Sequence, residues 1–531
     1  MEENNNDSLY SWMALIVVVI GTFMSILDSS IVNIAIPKMM AVFGVSMSDS
    51  KWILTAYTLA LGAIIPLTGY LQDLFGSKKI YMFALSMFTA GSMLCGFSWS
   101  NTSMICFRVI QAIGGGMIMP VGMSMIYEIF PRDKIGLALG VWGIAAMAAP
   151  SIGPTLGGYI IEKMDWRLIF NINVPIGIIG VILAAILLKD SGNRNHKPFD
   201  IIGFLSSTIG IVSILYVLGE WTSIDWTKMR YTMFLVLGCL SMILFTVNEL
   251  THPDPLLDLR IFKLTDFTLS QIVISVLSLA LMGGMYVVPL FLQNIRGYTA
   301  MDTGLIMLPA ALVMGLFMPI SGNLFDKIGA KPIAAPGIVI LGISSYHLST
   351  LININSTKES IILALCLRSV GIGLAMMPIN TAGMNVVPQN LIGKASAISN
   401  TIRQITGSIS ITIMSTIIQS KTNYNYLKLS EQVNVYNNVS NNTISELTKA
   451  YMQSGQSQSS AKYSAISYIA KMIQGQATLD AMAYALAVTS AVVVLAVILV
   501  LMMKDKKIPK NTNNEGEMIK YEGGINRKTI G

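Results

Sequence analysis

The stretch Gly69-Tyr70-Leu71-Gln72-Asp73-Leu74-Phe75-Gly76-Ser77-Lys78 returns later in the chain as Gly322-Asn323-Leu324-Phe325-Asp326-Lys327-Ile328-Gly329-Ala330-Lys331. Both copies read G-x-L-x-D-x-x-G-x-K, and each closes an apolar stretch. Two copies at matching places indicate a parallel internal repeat. They begin at Gly69 and Gly322, an offset of 253 residues. Six membrane-spanning helices with their loops account for about 190 of these, so about 60 remain, which is room for one inserted helix pair. The glycines allow a tight turn and close helix approach, and the Asp and Lys stand where they can meet a neighbouring helix end. Such a clasp can hold one state and release in another. Gly69, Asp73, Gly76 and Lys78, with Gly322, Asp326, Gly329 and Lys331, are therefore candidate conformational-gate residues. The plainer reading is a charged loop that only fixes topology.

Composition agrees with a chain built of membrane spans. Of 531 residues 53% are hydrophobic and 12% charged, with a mean hydropathy of +0.63, whereas a soluble domain carries about 25% charged residues. An ordinary soluble enzyme is excluded. At about 20 residues per span the apolar inventory suffices for about fourteen, and about fourteen windows can be marked between residues 12 and 503. The expected fold is all-α and integral to the membrane, two six-helix bundles plus an inserted helix pair. Its parts are an N-terminal bundle (1–190), the pair with its linkers (191–262), helices 9 to 13 of the C-terminal bundle (263–418), an extracellular polar loop (419–480), a last helix (481–503) and a cytoplasmic tail (504–531). The first window is too long for a signal peptide and lacks a small-residue cleavage site, so the mature chain is expected to begin near Met1.

The net charge of +7 is read as topological, since cytoplasmic loops collect Lys and Arg, and not as a nucleic-acid surface. Short-loop bias places both termini in the cytoplasm and the segment near Tyr436 outside. In the 419–480 segment Tyr463, Ile466, Ile469 and Ile473 recur at helical spacing, which suits an amphipathic helix on the membrane; a polar disordered insertion is the other reading. The tail is expected to be disordered. Cys95, Cys106, Cys239 and Cys366 form no C-x-x-C pair, and His196, His252 and His347 are scattered, so neither a metal nor a cofactor is expected. No G-x-x-x-x-G-K-[ST] loop is present to use ATP.

Asp28 is an acid well inside the first span, with Thr22, Ser25, Ser29 and Asn33 at three- and four-residue spacing beside it. Intramembrane acids are costly and mark ion or proton pathways. Arg108 in the fourth span shares a face with Gln111; it cannot lose its proton and must find a carboxylate, carbonyls or water. Arg368 is its expected counterpart in the second half. Ala145, Ala149, Gly153 and Gly157 form a small-residue stripe in the fifth span, and Pro154 adds a kink. Asn400, Arg403 and Gln404 make a polar stripe in the thirteenth. Ser25, Asn33, Gln111, Asn400, Arg403 and Gln404 are the candidate cavity-lining residues.

The repeated decapeptide resembles the loop signature of the major facilitator superfamily, and further motifs are similar to its fourteen-helix drug:proton antiporter branch, the multidrug exporters. Leu27, Asp28, Ser29, Val32, Asn33, Ala35 and Pro37 resemble that branch's first-helix motif. Trp166, Arg167, Phe170, Asn173, Pro175 and Gly177 resemble the start of its sixth helix. Asp200 and Gly203, then Pro255, Leu256, Asp258 and Phe262, resemble the borders of its extra helix pair. Gly140, Gly153, Pro154, Gly157 and Gly158 resemble the antiporter motif, associated with exporters, although Ala149 stands for a glycine. Arg108, Gln111 and Gly114 resemble a fourth-helix motif linked to proton transfer, with Ala112 in place of a usual glycine. Leu74 and Ser77 replace basic residues common in the first decapeptide.

The resemblance covers about residues 12 to 418. It implies a multi-pass plasma-membrane protein of bacterial type that exchanges protons for small amphipathic substrates by alternating access, with Asp28 and Arg108 in proton coupling. One acid in the first span and none in the core of the tenth favour neutral or singly cationic substrates over divalent cations. Export of one native metabolite or lipid precursor is the alternative within transport. A membrane sensor on a carrier fold is the alternative from another class, and a pore fits the paired halves less well. Nothing in the sequence indicates an accessory protein.

Overall fold

The computed structural model describes residues 2–131, 134–190, 198–434 and 436–503. Their regular structure is helical throughout. The first half comprises α1 (Glu2–Phe43), α2 (Trp52–Phe75), α3 (Ser77–Gly96), α4 (Asn101–Ile129), α5 (Ile135–Lys163) and α6 (Leu168–Leu187). The inserted pair is α7 (Ile201–Glu220) and α8 (Met229–Thr251). The second half continues with α9 (Thr265–Ile295), α10 (Ala300–Ile328), α11 (Lys331–Thr350), α12 (Lys358–Asn385) and α13 (Ile392–Ser430). A shorter α14 (Asn438–Gln453) precedes the long last helix α15 (Gln458–Met502). Among the described residues twelve of these helices are long and apolar enough to cross a membrane. The expected count of fourteen needs α3 and α13 as well, which have the length but a more polar composition.

The expected loop at 419–480 is corrected in one respect. Its residues are helical for most of its length: α13 runs on to Ser430, α14 follows, and α15 begins at Gln458, well before the expected start at 481. The spacing of Tyr463 and Ile466 is helical as read, yet both are exposed, while Ala461 and Ala465 on the same helix are buried. The small side chains form the buried face of this stretch and leave the larger ones outside. The expected tail, 504–531, lies outside the described residues.

Glycines set the contacts that join the halves. A Cβ on Gly140 of α5 would lie 2.5 Å from Pro319 Cα, and one on Gly136 2.5 Å from the Gly322 carbonyl oxygen, so α5 and α10 meet backbone to backbone. On another face of α5, Gly153 meets Ser30, whose Cβ would be 2.6 Å from an added methyl, and Gly157 meets Ile31. Pro154 has no N–H for the Pro150 carbonyl, and the Ser30 hydroxyl donates to that carbonyl at 3.0 Å instead. The antiporter-motif residues thus wedge α5 between α1 and α10. Across the second junction Ser396 of α13 donates to the Pro120 carbonyl of α4 at 2.8 Å.

The inserted pair is closely packed: Gly210 faces Met242 and Gly238 faces Ile214. The α7 helix also touches both halves. Leu215 and Ile211 press on Gly62 of α2, and the Thr412 hydroxyl of α13 donates to the Leu218 carbonyl at 3.0 Å. Lys51 and Glu220 pair at 2.8 Å beside this contact.

In each decapeptide the second glycine ends one helix with positive φ: Gly76 at φ 87°, ψ 151° and Gly329 at φ 86°, ψ −176°. That region is accessible only to glycine, and other residues pay about 1–3 kcal/mol there. Gly76→Ala and Gly329→Ala are each expected to cost about that much, read as a lower unfolding midpoint in detergent; an unchanged midpoint would show that the turn relaxes.

Candidate functional site

Asp28, 1% exposed, sits inside α1 and is held from three sides. Arg108 Nη1 of α4 donates to Oδ2 at 2.5 Å, while Gln111 Nε2 of α4 and Asn173 Nδ2 of α6 donate to Oδ1 at 2.9 Å each. Gln111 accepts from Arg108 at 2.5 Å and donates to Ser92 of α3 at 2.6 Å. The guanidinium lies over the Tyr57 ring of α2, 3.8 Å from its centroid. Four neighbouring helices therefore close round one acid on α1. Arg108 spans the distance because Gln111, one turn on, fixes its head, and because α4 is glycine-rich at Gly114, Gly115 and Gly116, which lets α2 and α3 approach. Two of its nitrogens, Nε and Nη2, are buried without an acceptor.

A buried carboxylate paired with an arginine is one of the few places in a bilayer where a proton can be exchanged for a change in packing. Ionised, Asp28 ties α1 to α4; protonated, it loses the ion pair and keeps amide donors suited to either form. Asp28, Arg108 and Gln111 were all marked in the sequence. Asn173 was marked only as part of a motif, and Ser92 and Tyr57 were missed, since a serine and a tyrosine in apolar spans carry no signal of their own.

The other marked residues separate into three places. Ser25 is buried one turn from Asp28, whereas Asn33 is exposed and donates to its own helix at Ser29. On α13, Asn400 is buried, its amide 3.9 Å from the Met123 sulfur of α4, while Arg403 and Gln404 are half-buried. Among the described residues Arg368 has no acid opposite it: Nη2 donates to the Ala280 carbonyl and Nε to Ser345 at 3.2 Å. The halves share a scaffold, but the acid–arginine pair belongs to the first.

The decapeptides face the opposite half. Asp326 accepts from the backbone N–H of Gly136 and of Leu137, both at 3.3 Å, in the first turn of α5. Gly69 faces the first turn of α13, where an added Cβ would meet Lys394 Cα at 3.1 Å and the Gly393 oxygen at 3.2 Å. At that end Lys78 donates to the Ala185 carbonyl of α6 at 2.7 Å, and Ser77 donates to Glu128 at 2.9 Å. Asp326 thus makes, with the first turn of α5, the kind of clasp the decapeptide suggests, while Gly69 of the other copy provides the close approach to α13. A carboxylate at a helix N-terminus gains about 0.3–1 kcal/mol, up to about 2 when partly buried. Asp326→Asn is expected to weaken closure at this end by that amount, seen as a longer spin-label distance between α5 and α10; an unchanged distance distribution would dismiss the clasp.

A further lock joins the inserted pair to α13. Lys394 Nζ donates to the Pro255 carbonyl at 2.6 Å, and the Leu257 N–H donates to Glu249 at 2.9 Å. Asp200 caps α7 through the Gly203 N–H at 2.8 Å and accepts from Asn248 at 2.7 Å.

Residues 18–411 match the sequence model of the Major Facilitator Superfamily. The chain is 38% identical over 418 residues to the uncharacterized MFS-type transporter YhcA of Bacillus subtilis (strain 168), covering 79% of this chain and 78% of that one. It is 30% identical over 420 residues to the multidrug export protein EmrB of Escherichia coli (strain K12), covering 79% and 82%. Its fold is similar to that of the proton:xylose symporter XylE bound to 6-bromo-6-deoxy-D-glucose, with a TM-score of 0.59 at 14% identity over 94% of this chain and 97% of that chain. With the family's sequence pattern running from residue 18 to residue 411 over a fold the family shares, the chain belongs to the Major Facilitator Superfamily and is a multi-pass membrane transporter, not an enzyme.

Proposed function

We propose that this transporter is a proton-coupled antiporter that exports amphipathic compounds from the cytoplasm by alternating access. The observation that carries the reading is the buried Asp28–Arg108 pair, an ion pair that one proton dissolves. Asp28 is two and three residues from Ser30 and Ile31, which face the glycines of α5, and α5 in turn meets α10 of the other half. Protonation that loosens α1 from α4 is therefore passed to the interface that must open and close. A membrane potential supplies about 2.3 kcal/mol per charge per 100 mV, so one entering proton supports a roughly fifty-fold gradient of a neutral compound.

The name of the relative EmrB, a multidrug export protein, supports export of chemically varied compounds. The acids of α10 stand only at its ends: Asp302 in the capping box with Thr299, and Asp326 in the clasp. No second carboxylate serves a doubly charged cargo there. In cells stripped of their own efflux pumps, expression should raise resistance to neutral and singly charged amphipaths and lower their accumulation, and a protonophore should cancel both. Unchanged resistance and accumulation across a broad panel would favour a dedicated exporter or a sensor. In the proposed orientation the decapeptides and both termini are cytoplasmic, and Tyr436, 91% exposed, lies outside. Tyr436→Cys should react with an impermeant thiol reagent from outside; reaction from the cytoplasm alone would reverse the assignment.

A further inference from the structure

Three arginines lie within the long helices α4, α12 and α13, and they are not treated alike. Arg108 has the Asp28 carboxylate. Arg368 has the Ala280 carbonyl and the Ser345 hydroxyl. Arg403 has neither: no described residue gives it a hydrogen bond or ion pair, its Nε is enclosed without an acceptor, and no ionised side chain stands close enough to act on it. A guanidinium stays charged in a protein, so this one needs a partner that the described residues do not supply.

The direction in which Arg403 faces follows from its own helix. Ser396 and Asn400, on the same stripe of α13, reach Pro120 and Met123 of α4 in the opposite half. Arg403 and Gly407 continue that stripe one and two turns further. There the contact ends: an added Cβ on Gly407 would meet nothing within 4 Å, and every residue from 401 to 408 is half-buried. The stripe thus passes from a closed junction between the halves into open space. Gln404 beside it likewise has no hydrogen-bond partner among the described residues.

We infer that Arg403 is the recognition point for an anionic group, a carboxylate or an equivalent oxyanion, on the amphipathic substrate. This rests on the export reading above and deepens it by giving the cargo a charge. The planar fork of arginine matches two carboxylate oxygens, and Gln404 adds an amide on the same side. Asp28 is buried and held by Arg108, so it is not free to take a cationic cargo. Preferred substrates are apolar bodies with one acidic group, zwitterions included.

Rhodamine B and its ethyl ester share one cationic ring system and differ in a free carboxylate, which makes them a matched probe. Binding is measured by fluorescence anisotropy on the full-length protein in phosphatidylcholine nanodiscs. Wild type should bind rhodamine B about tenfold more tightly than the ester, the size of one charge-assisted contact. Arg403→Gln should remove that preference without lowering the unfolding midpoint, and Arg403→Lys, should the glutamine variant misfold, should keep part of it. Equal binding of the two dyes by wild type, or a preference that survives Arg403→Gln, would overturn the assignment. Loss of the preference when phosphatidylglycerol is added to the nanodisc would overturn it in favour of a lipid headgroup site. Failure of wild type to bind either dye would count against the amphipathic-export reading itself.

Discussion

Asp28→Asn in proteoliposomes is expected to bind substrate and exchange it across the membrane, yet to accumulate none when only a pH difference is imposed. The side chain keeps its size, and an amide cannot take up or release the proton. The variant should also lose stability, because Arg108 keeps its charge in a buried place and loses its carboxylate; breaking such a pair costs about 3–5 kcal/mol. Gln111 Oε1 and the Tyr57 ring still hold the guanidinium, so the protein should fold. A second substitution separates the two effects. In Asp28→Asn with Arg108→Gln the uncompensated charge is gone, so the unfolding midpoint should recover while pH-driven accumulation stays absent. Accumulation at the wild-type rate in either variant would remove Asp28 from the coupling role.

Gly140→Leu should be nearly as damaging for a different reason. Gly140 meets the backbone of Met318 and Pro319, and Gly136 one turn away meets the backbone of Gly322, so no side chain can fold aside to make room. Overpacking of this kind costs about 1–3 kcal/mol, and here the cost falls on the conformer in which α5 and α10 touch. A penalty of that size changes a two-state ratio about 5- to 150-fold. Transport should fall to background while folding persists, and spin labels on α5 and α10 should report the separated state. Normal transport by Gly140→Leu would mean that this contact is not one of the states in the cycle.

The helical membrane class and the doubled architecture were legible because they rest on hydropathy and on one repeated motif. Asp28 and Arg108 could be marked singly, because a charge inside an apolar span needs a reason to be there. Their pairing, 80 residues apart, needs the fold. Tyr57 and Ser92 were hidden for the opposite reason: tyrosine and serine are ordinary in such spans, and only the geometry shows the Tyr57 ring against the guanidinium and Ser92 against Gln111. The 419–480 segment misled because polar composition argues for a loop, while long helices beyond the apolar region gain their stability from packing on one another, as Ala461 and Ala465 do. The decapeptide told that its Asp could meet a helix end but not which one, and only the fold shows Asp326 on the first turn of α5.

Proton release on substrate binding tests the central claim most directly. Purified protein in weakly buffered detergent solution, near neutral pH and with a pH-sensitive dye, is mixed with a binding amphipath such as rhodamine B. If Asp28 exchanges its proton for cargo, wild type should release protons in proportion to the substrate bound, and Asp28→Asn, at equal occupancy, should release none. Equal release from both proteins would place the exchanging group elsewhere, and substrate binding by wild type without any release would contradict proton-coupled antiport.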